Sequence, residues 1–339
     1  MHKHVGNKQK RKSMKKIILG VMTLLVISCN EKQPEEFSLR GKTNGIENGT
    51  NIYLSFEEEL IDSTKVVDNN FKFQTKLQKS PMQVILRTKD YSHYRFLWLE
   101  NKPMEFNASK TDFRNAKVTG SETEQLSEIL RQKIDTIPRS KRHKYRIEFI
   151  RSNPEKLFSA YLLSFYTKTW GKEKTIELFN QLSEGNKNSE YGEKISKYIK
   201  LNKDPKIGER FVDFEMEDTN GELRRLSDFN GKLVLLEFWA SSCGPCRKEN
   251  PSLVKTYNEY KPKGFEIFAV SEDTKREKWL RAIEKDGLPW LQVSDLSREN
   301  TASMIYGING IPDNFLINQK GIIVGRNLRG EKLNEKLKE

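Results

Sequence analysis

Cys243 and Cys246 stand three residues apart, shortly after the mostly apolar segment from Leu233 to Trp239. An apolar run without alternation is typical of a strand at the centre of a sheet that is covered on both faces. The segment from Cys243 to about Tyr260 is predicted to be a helix. The cysteine pair is therefore expected at a strand-to-helix turn, which points this part of the chain to an α/β fold.

The position of the pair bears on its reactivity. A helix N-terminus carries about half a positive charge and unpaired N–H groups, which favour a thiolate over a thiol. Cys243 occupies that position and is the expected nucleophile. Cys246 follows one turn later on the same face, so the two sulfurs can close a small ring. Pro245 suits the first turn, because its missing N–H has no helical partner there.

Two other uses of such a pair are disfavoured. A structural zinc site needs four ligands, usually cysteine or histidine. The third cysteine of the chain is Cys29, and His93 and His143 lie in other parts of the sequence, so no metal is expected. An inert structural disulfide is also disfavoured, because a bridge across two intervening residues removes little entropy from the unfolded chain. A redox-active disulfide without an added cofactor is the favoured interpretation.

The first 28 residues have the layout of a secretory signal. Basic residues precede Ile17–Ser28, an apolar stretch that is too short for a bilayer, which takes about 20 residues. The segment Leu25–Cys29 resembles the lipobox of bacterial lipoproteins, in which the cysteine is diacylated and the signal is cut just before it. We therefore expect a lipid on Cys29 that anchors the protein to a membrane of the cell envelope, facing the periplasm. The alternative is an ordinary signal peptide with Cys29 as a bystander.

The net charge of +13 is a weak argument for a nucleic-acid partner. Seven lysines and arginines fall within residues 1–28, and subtracting these seven leaves +6 spread along the rest of the chain. We expect no nucleic acid. A basic cluster between Arg139 and Arg146 is interpreted as the solvated start of a helix, with a contact to anionic lipid as the alternative.

The pattern of the chain predicts five segments. They are a signal peptide at 1–28, a tether at 29–36, an antiparallel β domain at 37–120, a helical segment at 121–203 and an α/β domain at 204–339. Short apolar runs separated by turns such as Asn44-Gly45 indicate a sheet or sandwich in the β domain. In the helical segment, Asn153-Pro154 is predicted to start a helix that buries one face from Leu157 to Tyr166.

The segment Glu237–Cys246 resembles the active site of thioredoxins, and most of all the TlpA/ResA-like, membrane-tethered thiol-disulfide oxidoreductases. The resemblance covers roughly residues 206–339 and implies a thioredoxin-like C-terminal domain. It also implies that Glu237, six residues before the first cysteine, accepts the proton of Cys246. The β region resembles a small domain of unknown function that often precedes thioredoxin domains in bacterial lipoproteins.

Further site residues follow from the same resemblance. The segment Tyr306–Pro312 resembles the cis-proline loop of the family, in which Pro312 would lie opposite the sulfurs and the backbone of Ile311 would pair with substrate. Trp239 matches the aromatic residue beside the disulfide. Ser242 departs from the tryptophan that commonly precedes the first cysteine, which leaves substrate preference open.

The expected function is reduction of protein disulfides in the cell envelope, because Gly-Pro between the cysteines resembles reducing members of the family. The partners would be a protein disulfide or thiol and an electron donor that the sequence does not identify. One alternative is a peroxiredoxin-type peroxidase. That family has Thr or Ser three residues before its reactive cysteine and Pro seven residues before it. This chain has Ala240 and Leu236 at those positions, which disfavours the alternative. Another is a non-enzymatic binding or redox-sensing lipoprotein.

Overall fold

The structure is a computed structural model that describes residues 36–56 and 59–338. Cys29, the predicted signal peptide and all but the last residue of the predicted tether lie outside these residues. The first part of the described chain forms eight strands: β1 (Ser38–Lys42), β2 (Asn51–Phe56), β3 (Glu59–Lys65), β4 (Asn70–Gln74), β5 (Met82–Arg87), β6 (Tyr94–Leu99), β7 (Pro103–Asn107) and β8 (Lys117–Thr119).

These strands form two four-stranded sheets, in the orders β4-β1-β7-β8 and β3-β2-β5-β6. Their facing sides share one core, as expected for a sandwich. The antiparallel prediction holds for every neighbouring pair except β1 and β7, which run parallel. The pair is parallel because the chain between them crosses over to build the second sheet before it returns beside β1.

The turns of this domain use residues that accept positive φ angles. Gly45 and Gly49 have φ of 75° and 87°, and Asp68 and Asn69 have φ of 49° and 59°. Glycine, asparagine and aspartate tolerate this region better than other residues do. The turn residues seen in the sequence therefore lie where the chain reverses.

Five helices follow: α1 (Glu122–Thr136), α2 (Arg139–Ser152), α3 (Leu157–Gln181), α4 (Glu184–Lys187) and α5 (Glu190–Leu201). The predicted helix start at Asn153-Pro154 is wrong. Asn153 ends α2, and its side chain donates to the carbonyl of Phe149, so it satisfies the end of one helix rather than the start of the next. Helix α3 is itself broken at Gly171, which has φ of 78°.

The apolar face of α3 is only partly buried. Phe158 and Leu162 are 3% and 6% exposed, and both belong to the core that the helices share with Trp98 of β6. Phe165, which was expected on the same buried face, is 67% exposed. The prediction fails at Phe165 because helical spacing gives the direction in which a side chain points. It does not show how far along the helix the elements packed against it extend.

The C-terminal part holds the strands β9 (Glu215–Glu217), β10 (Leu223–Arg225), β11 (Leu233–Trp239), β12 (Phe265–Ser271), β13 (Leu291–Val293), β14 (Asp313–Ile317) and β15 (Ile323–Arg326). Its helices are α6 (Gly244–Tyr260), α7 (Arg276–Asp286), α8 (Thr301–Ile305) and α9 (Glu331–Lys338). The main sheet has the order β13-β12-β11-β14-β15, with β11 parallel to β12 and antiparallel to β14. This mixed sheet with a closing hairpin confirms the thioredoxin-like prediction.

The main sheet separates two apolar layers. One layer contains residues of α6, α7 and α9 together with both cysteines, and the other contains α8 and the segment around β9. Strand β11 lies between the layers, and six of its seven residues are buried. Within the described residues, no helix is both long enough and apolar enough to cross a membrane.

Candidate active site

The cysteine pair lies at the N-terminus of α6, where β11 has turned into the helix. Cys243 is the N-cap residue, and its sulfur accepts a 3.1 Å hydrogen bond from the backbone N–H of Cys246. The two cysteines are joined in a disulfide, with their Cα atoms 5.3 Å apart. Cys243 is 9% exposed and Cys246 is 1% exposed. Of the two sulfur-bearing residues, Cys243 is therefore the one that a substrate can approach.

The segment that leads into Cys243 is held by charged side chains. Asp273 accepts hydrogen bonds from the backbone N–H of Ser241, at 2.7 Å, and from the hydroxyl of Ser271, at 2.8 Å. Arg247 donates to the carbonyl of Ser241 at 3.0 Å and pairs with Asp286. The bond from Arg247 lowers the pKa of Asp286. These contacts fix the turn before the nucleophile from both sides.

Glu237 is buried in β11, on the side of the sheet that holds both cysteines. Side chains alternate along a strand, and Leu235 and Trp239, two residues away on either side, belong to the layer with Cys243 and Cys246. Only 6% of Glu237 is exposed. Glu237 is therefore a buried carboxyl group in the central strand, not one exposed to solvent.

Burial raises the pKa of Glu237 to about 8. The negative charge of Glu249 raises it as well, and that of Asp313 adds a smaller effect in the same direction. The positive charge of Arg329 and a hydrogen bond with Asn314 act in the opposite direction. The effect of burial outweighs that of Arg329, so the net direction of the pKa shift is upward.

Arg329 and Glu249 are two residues of the site that sequence reasoning missed. The Nε of Arg329 lies 3.4 Å from the carboxylate of Glu249, and its Nη2 donates to the carbonyl of Pro312. Burial raises the pKa of Glu249, and Arg329 opposes this. Glu249 follows Cys246 by three residues on one helix, a spacing that could have identified it. Arg329 gave no such signal, because only the fold brings it here.

The Ile311–Pro312 peptide bond is cis, and Pro312 immediately precedes β14. Ile311 is partly buried and packs against both apolar layers. In the described part of the chain, no backbone hydrogen bond uses the N–H or the carbonyl of Ile311. Both groups are therefore available for a hydrogen bond to an added strand, which is the role that the family resemblance implies.

Trp239, at the end of β11, lies in the same apolar cluster as the two cysteines. It is 2% exposed, and its indole N–H donates a 2.9 Å hydrogen bond to Gln292. Ser242 is exposed, so the position that commonly carries tryptophan offers only a small polar surface beside the nucleophile. Ala240 and Leu236 are both buried and carry neither a hydroxyl nor a proline ring, so the side chains expected of a peroxidase are missing at these positions.

Two family models match the chain. The model described as the AhpC/TSA family matches residues 207–326, and the one described as a domain of unknown function (DUF4369) matches residues 37–126. Thiol-disulfide oxidoreductase ResA of Bacillus cereus is 32% identical over 142 residues, which cover 42% of this chain and 80% of ResA. The chain belongs to the ResA-like thiol-disulfide oxidoreductases.

Two further proteins are similar to part of this ResA-like chain. ResA of Halalkalibacterium halodurans is 38% identical over 119 residues, which cover 35% of this chain and 66% of that protein. Among solved structures, the thioredoxin domain of a thiol-disulfide oxidoreductase from Bacteroides vulgatus is 38% identical, with a TM-score of 0.37; the match covers 40% of this chain and 96% of that domain. Each of these two ResA matches covers less than half of this chain.

Proposed function

We propose that this protein is a membrane-anchored enzyme that reduces protein disulfides in the cell envelope. The observation that carries the proposal is the disulfide between Cys243, at the N-terminus of α6, and Cys246, which is almost completely buried behind it. A more exposed sulfur at a helix N-terminus is suited to attack, and a buried sulfur one turn later is suited to resolution. The reduced Cys243–Cys246 dithiol carries the two electrons and becomes the disulfide when it gives them up, so the reaction requires no added cofactor.

The reaction begins with the reduced pair. The thiolate of Cys243 attacks one sulfur of a substrate disulfide, forms a mixed disulfide with it and releases the other substrate sulfur as a thiolate. Cys246 then loses its proton to Glu237 and attacks the sulfur of Cys243. This step closes the Cys243–Cys246 disulfide and releases the second substrate thiolate. Two electrons have passed to the substrate, and a dithiol donor must return them for the next cycle.

The pKa of Glu237 supports its role as proton acceptor. With a pKa of about 8, the carboxyl group holds a proton at neutral pH when the pair is oxidised, as it is in this structure. This is the state expected after Glu237 has taken the proton of Cys246. When the donor reduces the disulfide again, Glu237 can return that proton to the sulfur of Cys246.

Anchoring is proposed through a lipid on Cys29, supported by the lipobox-like segment before it. Cleavage in front of Cys29 would leave the β domain and the helical segment between the membrane and the thioredoxin-like domain. The test is fractionation of cells that express the full chain or its Cys29→Ser variant. We expect the wild-type chain in the membrane fraction with an acylated N-terminal cysteine. A Cys29→Ser variant that is processed and anchored like the wild type would refute the lipid anchor.

The direction of exchange is tested by the reduction potential of the Cys243–Cys246 pair. The full chain is equilibrated in glutathione or dithiothreitol buffers, and its free thiols are alkylated and counted. A potential near or below about −270 mV supports a reductase, and one near about −120 mV supports an oxidase or isomerase. If no reversible disulfide forms, the enzyme proposal is wrong and the binding or sensing alternative takes its place.

A further inference from the structure

A cavity of about 670 Å³ in the β domain is lined by four basic side chains. They are Arg40 and Lys42 of β1, Lys65 of β3 and Lys72 of β4, and the lining contains one carboxylate, Glu105. Among the described residues, none of the four cations forms an ion pair, and Lys72 instead donates to the amide oxygen of Gln74 at 2.8 Å. The cavity therefore concentrates positive charge that the residues described by the structure do not neutralise.

The register of the sheet places two of these charges directly opposite each other. Arg40 faces Lys72 across the antiparallel pair β1 and β4, and both side chains are exposed. Like charges directly opposite each other in such a pair are destabilising. Glu105, beside Arg40 on β7, offsets at most one of the positive charges. A bound anion would relieve the remaining repulsion.

Part of the cavity lining is apolar. Phe71 and Phe106 are among the lining residues, and their rings, 5.7 Å apart, belong to the core of the β domain beneath it. The ring of Phe71 lies over Gly41, where an added Cβ atom would come within 2.0 Å of it. Val67, also in the lining, is 61% exposed. A lining of cationic groups and apolar surface suits an anionic group that is joined to an apolar body.

We propose that this cavity binds the phosphate of an anionic phospholipid headgroup and so orients the β domain on the membrane. The proposal rests on the membrane anchoring proposed above. Seven residues, 30–36, separate Cys29 from the buried Phe37, and fully extended they reach roughly 25 Å. Arg40 lies only two residues after Ser38, the first residue of β1, roughly 7 Å along the strand. The tether is therefore long enough for this cavity to face the bilayer.

The test uses the full chain in phosphatidylcholine vesicles that contain a photoactivatable phosphatidylglycerol. We expect crosslinks to peptides of β1 and β4, and a crosslink yield that falls roughly thirtyfold in Arg40→Gln/Lys72→Gln. The matched control, Lys141→Gln/Lys144→Gln, removes the same charge from α2 and should keep the wild-type yield. Thiol exchange with a small disulfide and the far-UV circular dichroism spectrum should be unchanged in both variants, which shows that both the active site and the β domain are intact.

Three outcomes would overturn the lipid site. They are an unchanged yield in Arg40→Gln/Lys72→Gln, an equal loss in the α2 control, or complete competition by millimolar inorganic phosphate, which would make free phosphate the ligand. Flotation of the vesicles separates this proposal from the anchor. A chain that floats but gives no crosslink contradicts the cavity alone, whereas a chain that does not float contradicts the anchor and the orientation that depends on it.

Discussion

The side-chain amide of Asn202 donates a 2.8 Å hydrogen bond to the carbonyl oxygen of Met304. Asn202 ends α5, and Met304 lies in α8, which leads into the loop that carries Pro312. The backbone N–H groups of Lys203 and Asp204 add two bonds to the carbonyl of Ile305. The helical segment is thus tied directly to the element that precedes the candidate substrate loop.

Replacing Asn202 by alanine should destabilise this junction. Asn202 is 2% exposed, so its loss leaves a buried carbonyl with fewer partners, at a cost of roughly 1–3 kcal/mol. The measurement is urea unfolding of the full chain. Asn188→Ala, at an exposed position in the same segment, is the control and should change the free energy of unfolding by less than about 0.5 kcal/mol. Equal effects of the two substitutions would contradict a structural role for the junction.

The stability of the oxidised protein should fall as the pH rises through the neutral range. The pKa of Glu237 is raised from 4.5 in its ordinary state to about 8 in the folded protein. Between these values the folded protein holds a proton that the unfolded chain releases, so the free energy of unfolding decreases with pH. Glu237→Gln should remove a penalty on the order of 4 kcal/mol at pH 9 and change little at pH 4. Thermal unfolding at both pH values measures this; a parallel pH dependence in wild type and variant would refute it.

Glu237 should also accelerate the resolution of the mixed disulfide. In Glu237→Gln the proton of Cys246 has no buried acceptor, so the mixed disulfide on Cys243 should persist about a hundredfold longer. Mass spectrometry of acid-quenched samples measures its lifetime with a peptide disulfide as substrate. Glu259→Gln, an exposed position on α6, is the matched control. If Cys246→Ser traps the mixed disulfide but Glu237→Gln resolves it at the wild-type rate, Glu237 is not the proton acceptor.

Arg329 should set the pH at which exchange becomes fast. Its positive charge lowers the pKa of both Glu237 and Glu249, so Arg329→Gln should move the midpoint of the pH–rate profile upward by roughly 0.5 to 1 pH unit. Arg329→Lys keeps the charge and should return the midpoint towards the wild-type value. Arg225→Gln, at an exposed position of the same domain, should leave it unchanged. A lower rate with an unmoved midpoint would mean that Arg329 acts only through packing.

The centre of the site could be predicted because its signals are local in the sequence. Strand β11 was predicted at its observed bounds, since its residues are apolar on both faces. The cysteine pair and Pro312 each lie in a motif that spans only a few residues. In contrast, β3 has the polar sequence ELIDSTK and shows no clear alternation, so nothing in it indicates a strand. It becomes one because it pairs antiparallel with β2, with one register shift between Leu54 and Ser55.

What the sequence could not supply depends on distant parts of the chain. The contacts of Arg329 with Glu249 and Pro312 join three segments of the chain, and only the closed fold brings them together. The same holds for the parallel pairing of β1 with β7, which are separated by the whole second sheet. Local propensity also failed at Asn153, where the side chain satisfies the preceding helix instead of starting the following one. In each of these cases the sequence did not show which group a residue or strand contacts in the folded protein, because short-range patterns do not encode such contacts.

The central place of β1 in its sheet has a mechanical consequence. The strand nearest the proposed lipid anchor is bonded on one side to β4 and on the other to β7. A pull on the tether would load two ladders of hydrogen bonds together, whereas an edge strand could be peeled away one bond at a time. A force between the membrane and a partner bound to the enzyme would therefore be resisted by both ladders of hydrogen bonds. The tether would pull β1 out only when the β domain unfolds as a whole.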